Sequence, residues 1–208
     1  TAGPTREEID PVRFLSNYSS GKMGYAIASA ARNRGAKVVL VSGPVNLPEP
    51  KGMETIQVVS AQEMHEAVMA RAEQADLIIK AAAVADFRPV ARGVQKVKKG
   101  SAETTTVDLQ RNPDILAELG QQKGSRVLIG FAAETEELLK HAREKLTSKN
   151  LDMIVANDVT QEGAGFNGET NIVRFLTADG NVEELPQMTK AEVADILLDR
   201  AAALLLKG

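Results

Sequence analysis

Short apolar runs alternate along the chain with longer segments whose apolar residues recur at helical spacing. Buried strands are predicted at 37–42, 54–59, 76–81, 126–131 and 151–156. Helices are predicted at 21–35, 60–74 and 134–149, and another opens at Asn112–Pro113 with proline at its first position. Strands and helices that alternate over short connections are typical of a doubly wound parallel sheet.

The C-terminal part of the chain breaks this alternation. Stretches at 171–176 and 181–185 flank the turn sequence 177–180 and predict a β-hairpin, which either extends the sheet or protrudes from it. Thr189 caps a final helix, with Glu192 in the capping-box position. The fold class expected is therefore α/β: a Rossmann-like, doubly wound, mainly parallel sheet with helices on both faces and a C-terminal β-hairpin plus helix. It forms one domain over the whole chain.

Composition narrows the classes of function. Of the 208 residues, 43% are hydrophobic but only 3% aromatic, which favours an aliphatic core between helices and a parallel sheet. The absence of cysteine excludes disulfides and cysteine nucleophiles from this chain and fits a reducing cytoplasm. A net charge of −3 argues against general nucleic-acid binding, and no apolar run approaches the roughly 20 residues that span a bilayer. We expect a cytoplasmic protein with neither nucleic-acid nor membrane partners.

The chain begins without an initiator methionine. Residues 1–5 have the composition of a loop that follows a strand. We expect a piece of a longer polypeptide whose first strand has been cropped.

Ligands bind beyond the carboxyl ends of the strands in such folds, so the segments after strands are candidates for chemistry. The first is the polar loop before the helix at Gly21, in which Arg13 and Asn17 lie four residues apart. Backbone N–H groups at Ser19, Ser20 and Gly21 could hold an anion there. The alternative is ordinary capping of the helix by Ser19 or Ser20.

Two further candidates follow the third predicted strand. In residues 81–89, small side chains permit a flat ligand to approach the backbone, and Asp86 could hold a ribose hydroxyl or a cation; the alternative is an alanine-packed strand end with a capping aspartate. The stretch 87–102 has no acidic residue and contains Arg88, Arg92, Lys96, Lys98 and Lys99. A flexible lid that brings lysine onto a triphosphate would stabilise charge on the leaving group. The alternative is a solvated basic loop.

The last candidates follow the later strands. Residues 130–135 and 156–158 are expected to face the same crevice, and Lys145 and Lys149 lie four apart on the helix between them. The alternative for these lysines is stabilisation of the helix C-terminus. No metal site is predicted, because the two histidines are isolated along the chain.

Common nucleotide-binding motifs are incomplete. The fingerprint G-x-G-x-x-G is absent, and a Walker A motif fails because Ser16 stands at its first glycine and Met23 follows Lys22. Tyr18 and Lys22 spell the Y-x-x-x-K pair of short-chain dehydrogenases, but they lie too early in the fold. A nicotinamide-dependent oxidoreductase and a non-catalytic nucleotide-binding module are the alternative interpretations of this Rossmann-like domain.

Several stretches nevertheless occur together in one order along nearly the whole chain. They are TAGPTREEIDPVRFLSNYSSGKMG, LVSGPV, AAAVADFRP, QKVKK, NPDIL, GFAAET, KNLD and VANDV. As a set they resemble phosphopantothenate–cysteine ligase of the bacterial, CTP-using kind. In that family the domain is commonly the C-terminal half of a bifunctional protein, fused to a flavin-dependent decarboxylase. The resemblance implies that the flavin belongs to a half outside this chain.

The resemblance implies a two-step ligation in coenzyme A biosynthesis. The carboxylate of 4′-phosphopantothenate attacks the α-phosphate of CTP, giving an acyl-cytidylate and pyrophosphate. The amine of cysteine then displaces CMP and forms 4′-phosphopantothenoylcysteine. Such chemistry needs positioning and charge stabilisation more than acid–base groups.

The resemblance also implies roles for particular residues. Asn17 would contact the acyl group, Arg13 would help to hold phosphopantothenate and Lys96 would serve the reacting phosphates. These three are the expected catalytic residues, and Gly21 and Ala83 complete the acid site. The CTP site is implied at Ala81, Ala82, Asp86, Lys96, Pro113, Asp114, Ile115, Leu116, Phe131, Lys145 and Lys149. Family members are homodimers that complete each substrate site across the interface, and Mg²⁺ accompanies the triphosphate.

Overall fold

The central sheet and its helices follow the order that the hydrophobic pattern predicts. The computed structural model describes residues 1–98, 103–134, 136–161, 163 and 165–206, with only the backbone described at Glu134. The helices are α1 (Lys22–Asn33), α2 (Ala61–Ala72), α3 (Ile115–Gln121), α4 (Leu138–Ser148) and α5 (Lys190–Leu205). The strands are β1 (Arg6–Glu8), β2 (Phe14–Ser16), β3 (Val39–Ser42), β4 (Glu54–Gln57), β5 (Leu77–Lys80), β6 (Phe87–Pro89), β7 (Leu109–Arg111), β8 (Val127–Glu134), β9 (Met153–Asp158), β10 (Thr170–Asn171), β11 (Arg174–Thr177), β12 (Val182–Glu184) and β13 (Met188–Thr189).

The largest sheet is parallel at its centre and antiparallel at one side. Its order is β12-β11-β9-β8-β5. Strands β5, β8 and β9 are parallel, whereas β11 pairs antiparallel with both β9 and β12. The predicted hairpin therefore extends the sheet. A second parallel pair joins β3 to β4, and the predicted α/β fold with a mainly parallel sheet is confirmed.

Residues 1–5 connect these two sheets. On one side, Ala2 exchanges backbone hydrogen bonds with the end of β3. On the other, the Ala83 N–H donates to the Gly3 carbonyl at 2.9 Å, and the Ala83 carbonyl accepts from the Thr5 N–H at 3.2 Å. The layer thus runs β4, β3, residues 1–5, β5, β8, β9, β11 and β12. Strand order reverses between residues 1–5 and β5, which makes this gap the topological switch point where such folds bind ligands.

Side chains of the central strands alternate between two apolar cores, one on each face of the sheet. On β8, Leu128 and Ala132 pack in a core with α2, α3 and α4. Val127, Ile129 and Phe131 pack in the other core, with α1 and α5. The predicted placement of helices on both faces is confirmed. The face that a side chain occupies also decides which ligand-binding surface it can reach.

Two predicted helix starts are wrong for local reasons. The helix predicted from residue 134 begins at Leu138, because β8 continues to Glu134 in register with β9. The helix predicted to open at Pro113 begins one residue after Asp114, whose carboxylate accepts from the Ala117 N–H at 3.1 Å. In both cases the sequence pattern predicts that a helix is present but not the residue at which it begins.

Capping of α1 by a serine is also wrong. Gly21 occupies the N-cap position with φ of 78°, and no side chain caps the helix. A Cβ on Gly21 would lie 2.6 Å from Val45 Cγ1 and 3.3 Å from the Gly3 backbone. Glycine is therefore required both for the left-handed conformation and for the close contact with the first segment of the chain.

The segment between β5 and α3 forms a separate arm. It consists of β6, β7 and the described residues between them, 90–98 and 103–108. Strands β6 and β7 pair antiparallel, and the Val90 N–H donates to the Asp108 carbonyl at 2.9 Å. The basic stretch predicted as a flexible loop thus starts as a strand, and its residues 99–102 lie outside the described part of the chain. The arm packs beside the hairpin of β1 and β2.

Candidate functional site

Two clefts open near the switch point. The first, which we call the Ser20 cleft, has a volume of about 390 Å³. Residues 44–47 cover one side, and the remaining charged and polar lining consists of Arg6, Ser16, Asn17, Tyr18, Ser19, Ser20, Lys22 and Asn167. The volume is in the range of small-molecule sites.

The second cleft, which we call the Lys80 cleft, has a volume of about 310 Å³. Its charged and polar lining consists of Lys80, Asp86, Arg111, Asn112, Asp114 and Lys149. The predicted residues Pro113 and Ile115 also line it. The cleft therefore brings together five of the eleven residues implied for the CTP site: Asp86, Pro113, Asp114, Ile115 and Lys149.

Asn17 lines the Ser20 cleft and is bonded to Ala83, the residue directly before Val84 of the Lys80 cleft. Its side-chain Nδ2 donates to the Ala83 carbonyl at 2.9 Å. The Ala83 backbone is fixed in turn by Gly3 and Thr5, so Asn17 is aimed by the same hydrogen bonds that join the sheets. Its side-chain oxygen is left to accept a hydrogen bond from a ligand. Of the predicted acid site, the structure thus brings together Asn17, Ala83 and the N-cap at Gly21.

The loop at residues 165–169 borders the Ser20 cleft. Ser20 Oγ donates to the Phe166 carbonyl at 2.5 Å, and Lys22 Nζ donates to the Asn167 carbonyl at 2.8 Å. Behind them Lys190, only 6% exposed, donates to the carbonyls of three residues of this loop, Gly165, Phe166 and Gly168. Burial, followed by the nearby Lys22 charge, lowers the pKa of Lys190. The loop is therefore held by two ammonium groups, one at the cleft and one beneath it.

Lys80 is the most perturbed cation of the clefts. It ends the apolar strand β5, and burial, followed by the positive charge of Lys149, lowers its pKa from 10.5 to about 8. Asp114 and Asp86 act in the opposite direction. A partly buried ammonium in a cleft is a candidate for binding a ligand anion, because the anion supplies the interactions that the ammonium loses when water is removed.

The other side of the Lys80 cleft is formed by an ion pair. Lys149 Nζ lies 2.9 Å from one carboxylate oxygen of Asp114 and 3.2 Å from the other. Burial would raise the pKa of Asp114, but hydrogen bonds from Lys149 and from the Ala117 N–H lower it overall. The pairing therefore holds the Asp114 carboxylate in place beside two cations, Lys149 and Lys80.

Asn112 fixes the floor of this cleft. Its Nδ2 donates to the Ala85 carbonyl at 2.8 Å, and its N–H donates to the Asp86 carbonyl at 2.8 Å. Its side-chain oxygen accepts from Arg88 at 2.8 Å. The strand end that carries Asp86 and the loop before α3 are thus held at a fixed separation.

The sequence predicted one crevice shared by all of these residues. The predicted residues are instead divided between two clefts, and some of them line neither. Phe131 packs on the face of the sheet that carries α1 and α5, opposite the core of α2, α3 and α4. Leu116 is buried in the latter core, and Ala81 and Ala82 form the strand end behind the clefts. Lys145 lines neither cleft, although its charge reaches Lys80.

Arg13 and Lys96 also line neither cleft. The Arg13 guanidinium is paired with Asp10 and donates to the Val97 carbonyl at 3.0 Å. Lys96 is exposed on the arm immediately before Val97. Both residues therefore belong to one assembly in which the arm meets the loop after β1.

The sequence reasoning missed several residues that organise these surfaces. Lys80 could have been noticed as the one charge in an otherwise apolar strand. Asn112 stands directly before a proline at a strand-to-helix connection, which is a weak signal. The contacts of Lys190 with residues 165–168 and of Asp10 with Val97 gave no signal, because these partners are distant in the sequence.

The described residues contain no group of three or more histidine and acidic side chains placed to hold a metal ion. Within the same part of the chain, no helix combines the length and apolar character needed to cross a bilayer.

The fold and the clefts at its switch point define a Rossmann-like ligand-binding domain. Residues 1–205 match the family described as the DNA/pantothenate metabolism flavoprotein C-terminal domain. The chain belongs to this family.

Named relatives agree with this assignment. The chain is 53% identical over 205 residues to the coenzyme A biosynthesis bifunctional protein CoaBC of Bacillus subtilis (strain 168), covering 98% of this chain and 50% of that protein. It is 46% identical over 202 residues to CoaBC of Escherichia coli (strain K12), covering 96% and 50% respectively. The chain therefore spans about half the length of the curated relatives it matches.

Solved structures give the same picture. The crystal structure of a CoaBC C-terminal domain matches with a TM-score of 0.84 and 48% identity, over 100% of this chain and 94% of that one. A Cab2 variant in complex with phosphopantothenate-cysteine matches with a TM-score of 0.77 over 99% of this chain and 85% of that one. At 18% identity this second likeness supports the fold alone.

The lowered pKa of Lys80 predicts an unusual effect of its removal. A lysine whose pKa is lowered on folding opposes folding at every pH below its folded-state pKa, and the cost disappears as pH rises from about 8 to 10.5. Lys80→Met is therefore expected to increase the free energy of unfolding at pH 7 by on the order of 1–3 kcal/mol. Urea unfolding of Lys80→Met and of the unmodified chain measures this difference in the free energy of unfolding, which is expected at pH 7 and should disappear at pH 10.5.

Lys123→Met is the matched control for this measurement. Lys123 Nζ donates to Asp152 at 2.6 Å, so its removal leaves a carboxylate without its partner and is expected to destabilise the protein at pH 7. A loss of stability in Lys80→Met as well would show that Lys80 supports the fold rather than opposing it.

Proposed function

We propose that this domain is a CTP-dependent phosphopantothenate–cysteine ligase of coenzyme A biosynthesis. The observation that carries the proposal is the position of Asn17, which lines the polar Ser20 cleft and whose amide is fixed to Ala83, next to Val84 of the cationic Lys80 cleft. The family of the chain and its likeness to CoaBC C-terminal domains support the same setting.

CTP is assigned to the Lys80 cleft. Lys80 and Lys149 supply positive charge, and the Asp114 carboxylate beside them is an acceptor for an exocyclic amine such as that of cytosine. Asp86, at the strand end, is placed for a ribose hydroxyl. The triphosphate would then extend towards Asn17.

4′-Phosphopantothenate is assigned to the Ser20 cleft. Arg6 and Lys22 line this cleft and supply charge for its phosphate, while residues 44–47 provide a surface for its pantothenate chain. This placement directs the carboxylate of the acid towards Asn17, where it meets the nucleotide.

The first step forms a bond between a carboxylate oxygen of the acid and the α-phosphorus of CTP, and breaks the bond from that phosphorus to pyrophosphate. Lys96, from the arm, stabilises the negative charge that develops on the departing pyrophosphate. Asn17 holds the acyl group by hydrogen bonding. These residues position and stabilise charge, and none has to accept a proton in this step.

The second step forms the amide. The neutral amine of cysteine attacks the acyl carbon, the bond from that carbon to the cytidylate oxygen breaks, and CMP leaves while the attacking nitrogen loses a proton to solvent. Asn17 Nδ2 is the group placed to stabilise the charge on the acyl oxygen.

A divalent cation would enter with the triphosphate. Mg²⁺ usually retains water and binds mainly through substrate phosphates, with one or two protein carboxylates. Asp86 is the carboxylate of the Lys80 cleft that is not committed to an ion pair in the described structure. The cation supplies charge neutralisation of the phosphates; the lysines act whether or not it is bound.

The full-length protein would be bifunctional, and the domain would act as a homodimer. The resemblance and the CoaBC names of the relatives support a fused flavin-dependent decarboxylase outside this chain.

For the dimer, a second copy is the proposed occupant of an apolar surface on the arm and the adjoining hairpin. Its exposed residues are Val12, Phe14, Phe87, Val90, Val94, Val107 and Leu109.

The proposed function predicts a strict dependence on three substrates. Pyrophosphate is expected when CTP and 4′-phosphopantothenate are supplied, and the ligated product only when cysteine is added. A coupled pyrophosphate assay with each substrate omitted in turn, and with ATP in place of CTP, measures this. CTP binding without pyrophosphate release would favour a non-catalytic nucleotide module, and reduced-nicotinamide fluorescence enhancement would favour an oxidoreductase.

Two variants separate the proposed roles in the reaction. Lys96→Ala is expected to lower kcat by about 100-fold, the scale for loss of one charge-stabilising donor, without changing stability, because Lys96 is exposed.

Asn17→Ala is expected to lower the rate of acyl transfer by a larger factor than it lowers the affinity for CTP. The exposed Lys51, which lines neither cleft, gives the control Lys51→Ala with unchanged kcat. A kcat within a few-fold for Lys96→Ala, or equal loss of CTP affinity for Asn17→Ala, would contradict these roles.

The apolar surface of the arm predicts the oligomeric state. Analytical ultracentrifugation is expected to show a dimer for the unmodified chain and a monomer for Val90→Asp, because a charge in an apolar interface is strongly destabilising. Leu206 is also exposed but lies at the end of α5, so Leu206→Asp should remain dimeric. A dimer that survives Val90→Asp would place the interface elsewhere.

A further inference from the structure

The Asp10 carboxylate is the most heavily engaged acid among the described residues. Its side chain is 0% exposed. One oxygen accepts from the backbone N–H groups of Val12 and Arg13, each at 2.9 Å. The other accepts from Arg13 Nε at 3.1 Å, from Arg13 Nη2 and from the Val97 N–H at 3.0 Å.

The contact with Val97 connects Asp10 to the arm. The Val97 N–H is held by Asp10, and the Val97 carbonyl is held by Arg13 Nη2 at 3.0 Å. Both backbone groups of this residue are thus bound by one ion pair. Because Val97 follows Lys96 directly, the pair fixes the backbone from which the Lys96 side chain extends.

A seam of contacts extends this attachment along the arm. The Gly93 N–H donates to the Ile9 carbonyl at 2.9 Å, and Arg92 Nε lies 2.5 Å from a Glu8 carboxylate oxygen. Residues 92–97 therefore lie along residues 8–13. The Glu8 pair is largely exposed and contributes little, which leaves Asp10 as the buried anchor of the seam.

Only an ionised carboxylate satisfies this arrangement. Five donors converge on two oxygens, and hydrogen bonds with Arg13, followed in the same direction by those from backbone N–H groups, hold the pKa of Asp10 well below its usual range. An amide would turn an NH₂ group towards some of these donors, which would leave them unpaired.

We propose that Asp10 is a positioning residue that holds Arg13 and the arm backbone at Lys96 as one unit, so that Arg13 reaches the acid substrate while Lys96 reaches the reacting phosphates. The proposal rests on the ligase function proposed above, since it acts through Lys96. Asp10 itself touches no substrate. Arg13 is correspondingly assigned a double role, because two of its three guanidinium nitrogens are used in the clamp and Nη1 is left for a substrate anion.

A double-mutant cycle tests the proposal. Asp10→Asn is expected to lower kcat for pyrophosphate release by 10- to 100-fold with less than a threefold change in the KM for CTP. In the Lys96→Ala background the same substitution is expected to cost a smaller factor in kcat than in the unmodified chain, because of the two groups that Asp10 positions only Arg13 is still present. Equal losses of kcat in the two backgrounds would overturn the proposal. Asp10→Glu, which keeps the charge, should recover part of the activity.

Trypsin cleavage gives a readout that does not depend on activity. Cleavage after Lys96 and Lys98 is expected to be at least fivefold faster in Asp10→Asn than in the unmodified chain, because the arm loses its anchor. Unchanged cleavage would overturn the proposal even if kcat fell. If the unmodified chain released no pyrophosphate from CTP, the proposed function would fail, and the cleavage rates alone would then decide whether Asp10 holds the arm.

Asp152→Asn is the matched control. The Asp152 carboxylate also accepts from a backbone N–H, that of Leu128 at 2.7 Å, and from Lys123 Nζ at 2.6 Å. It lies at the opposite end of the parallel strands from the clefts. This variant should lose stability without changing kcat or the rate of cleavage in the arm; a comparable loss of kcat would show that general destabilisation explains the Asp10 result.

Discussion

The hydrogen bonds of residues 1–5, placed between β3 and Ala83, are the constraint on which the rest of the site depends. They join a parallel pair of strands to the five-stranded sheet and so create the switch point. They also require glycine where the layers come closest, because a Cβ on Gly43 would overlap the Pro4 carbonyl oxygen. The same backbone presents the Ala83 carbonyl to Asn17 and brings Gly21 against Gly3. Formation of the sheet therefore also places the Asn17 side chain.

The sequence predicts this fold well because its signals are periodic and local. Apolar runs such as 151–156, found as β9 (Met153–Asp158), predict a buried strand from composition alone. The helix before β9 was predicted too early because residues 131–134 are equally suited to a strand end, and only pairing with β9 decides between the two. Phe131 was grouped with Lys149 in the CTP site by the family resemblance, and its segment was expected to face the crevice because it ends a strand. The alternation of side chains across the sheet then separates them, and that alternation cannot be assigned to a face before the neighbours of the strand are known.

Lys80 and Lys190 show how environment distinguishes a functional lysine from a structural one. Both have a pKa lowered by burial. Lys190 recovers much of the lost hydration from three carbonyls of residues 165–169, so it is a satisfied group that fixes a loop. Within the described residues, Lys80 Nζ has charged neighbours but no hydrogen-bond acceptor, and it faces a cleft. A charged ammonium that has lost hydration without gaining an acceptor lowers the free energy of unfolding. Such a group is expected where a ligand anion provides the missing acceptor.

The lysine of the arm differs from both, because an exposed lysine has no surrounding contacts that hold its side chain in one position. A side chain such as that of Lys96 gains little from its surroundings and retains most of its rotamer freedom. Its usefulness to a developing phosphate charge then depends on how accurately its backbone is held. Burying one carboxylate at Asp10 supplies that accuracy at a distance from the substrates, where its charge is neutralised by Arg13 and does not repel a triphosphate. In the proposed function, anchoring is thus separate from charge stabilisation: the anionic anchor is buried in the seam between the arm and the loop after β1, and the cations would face the phosphates.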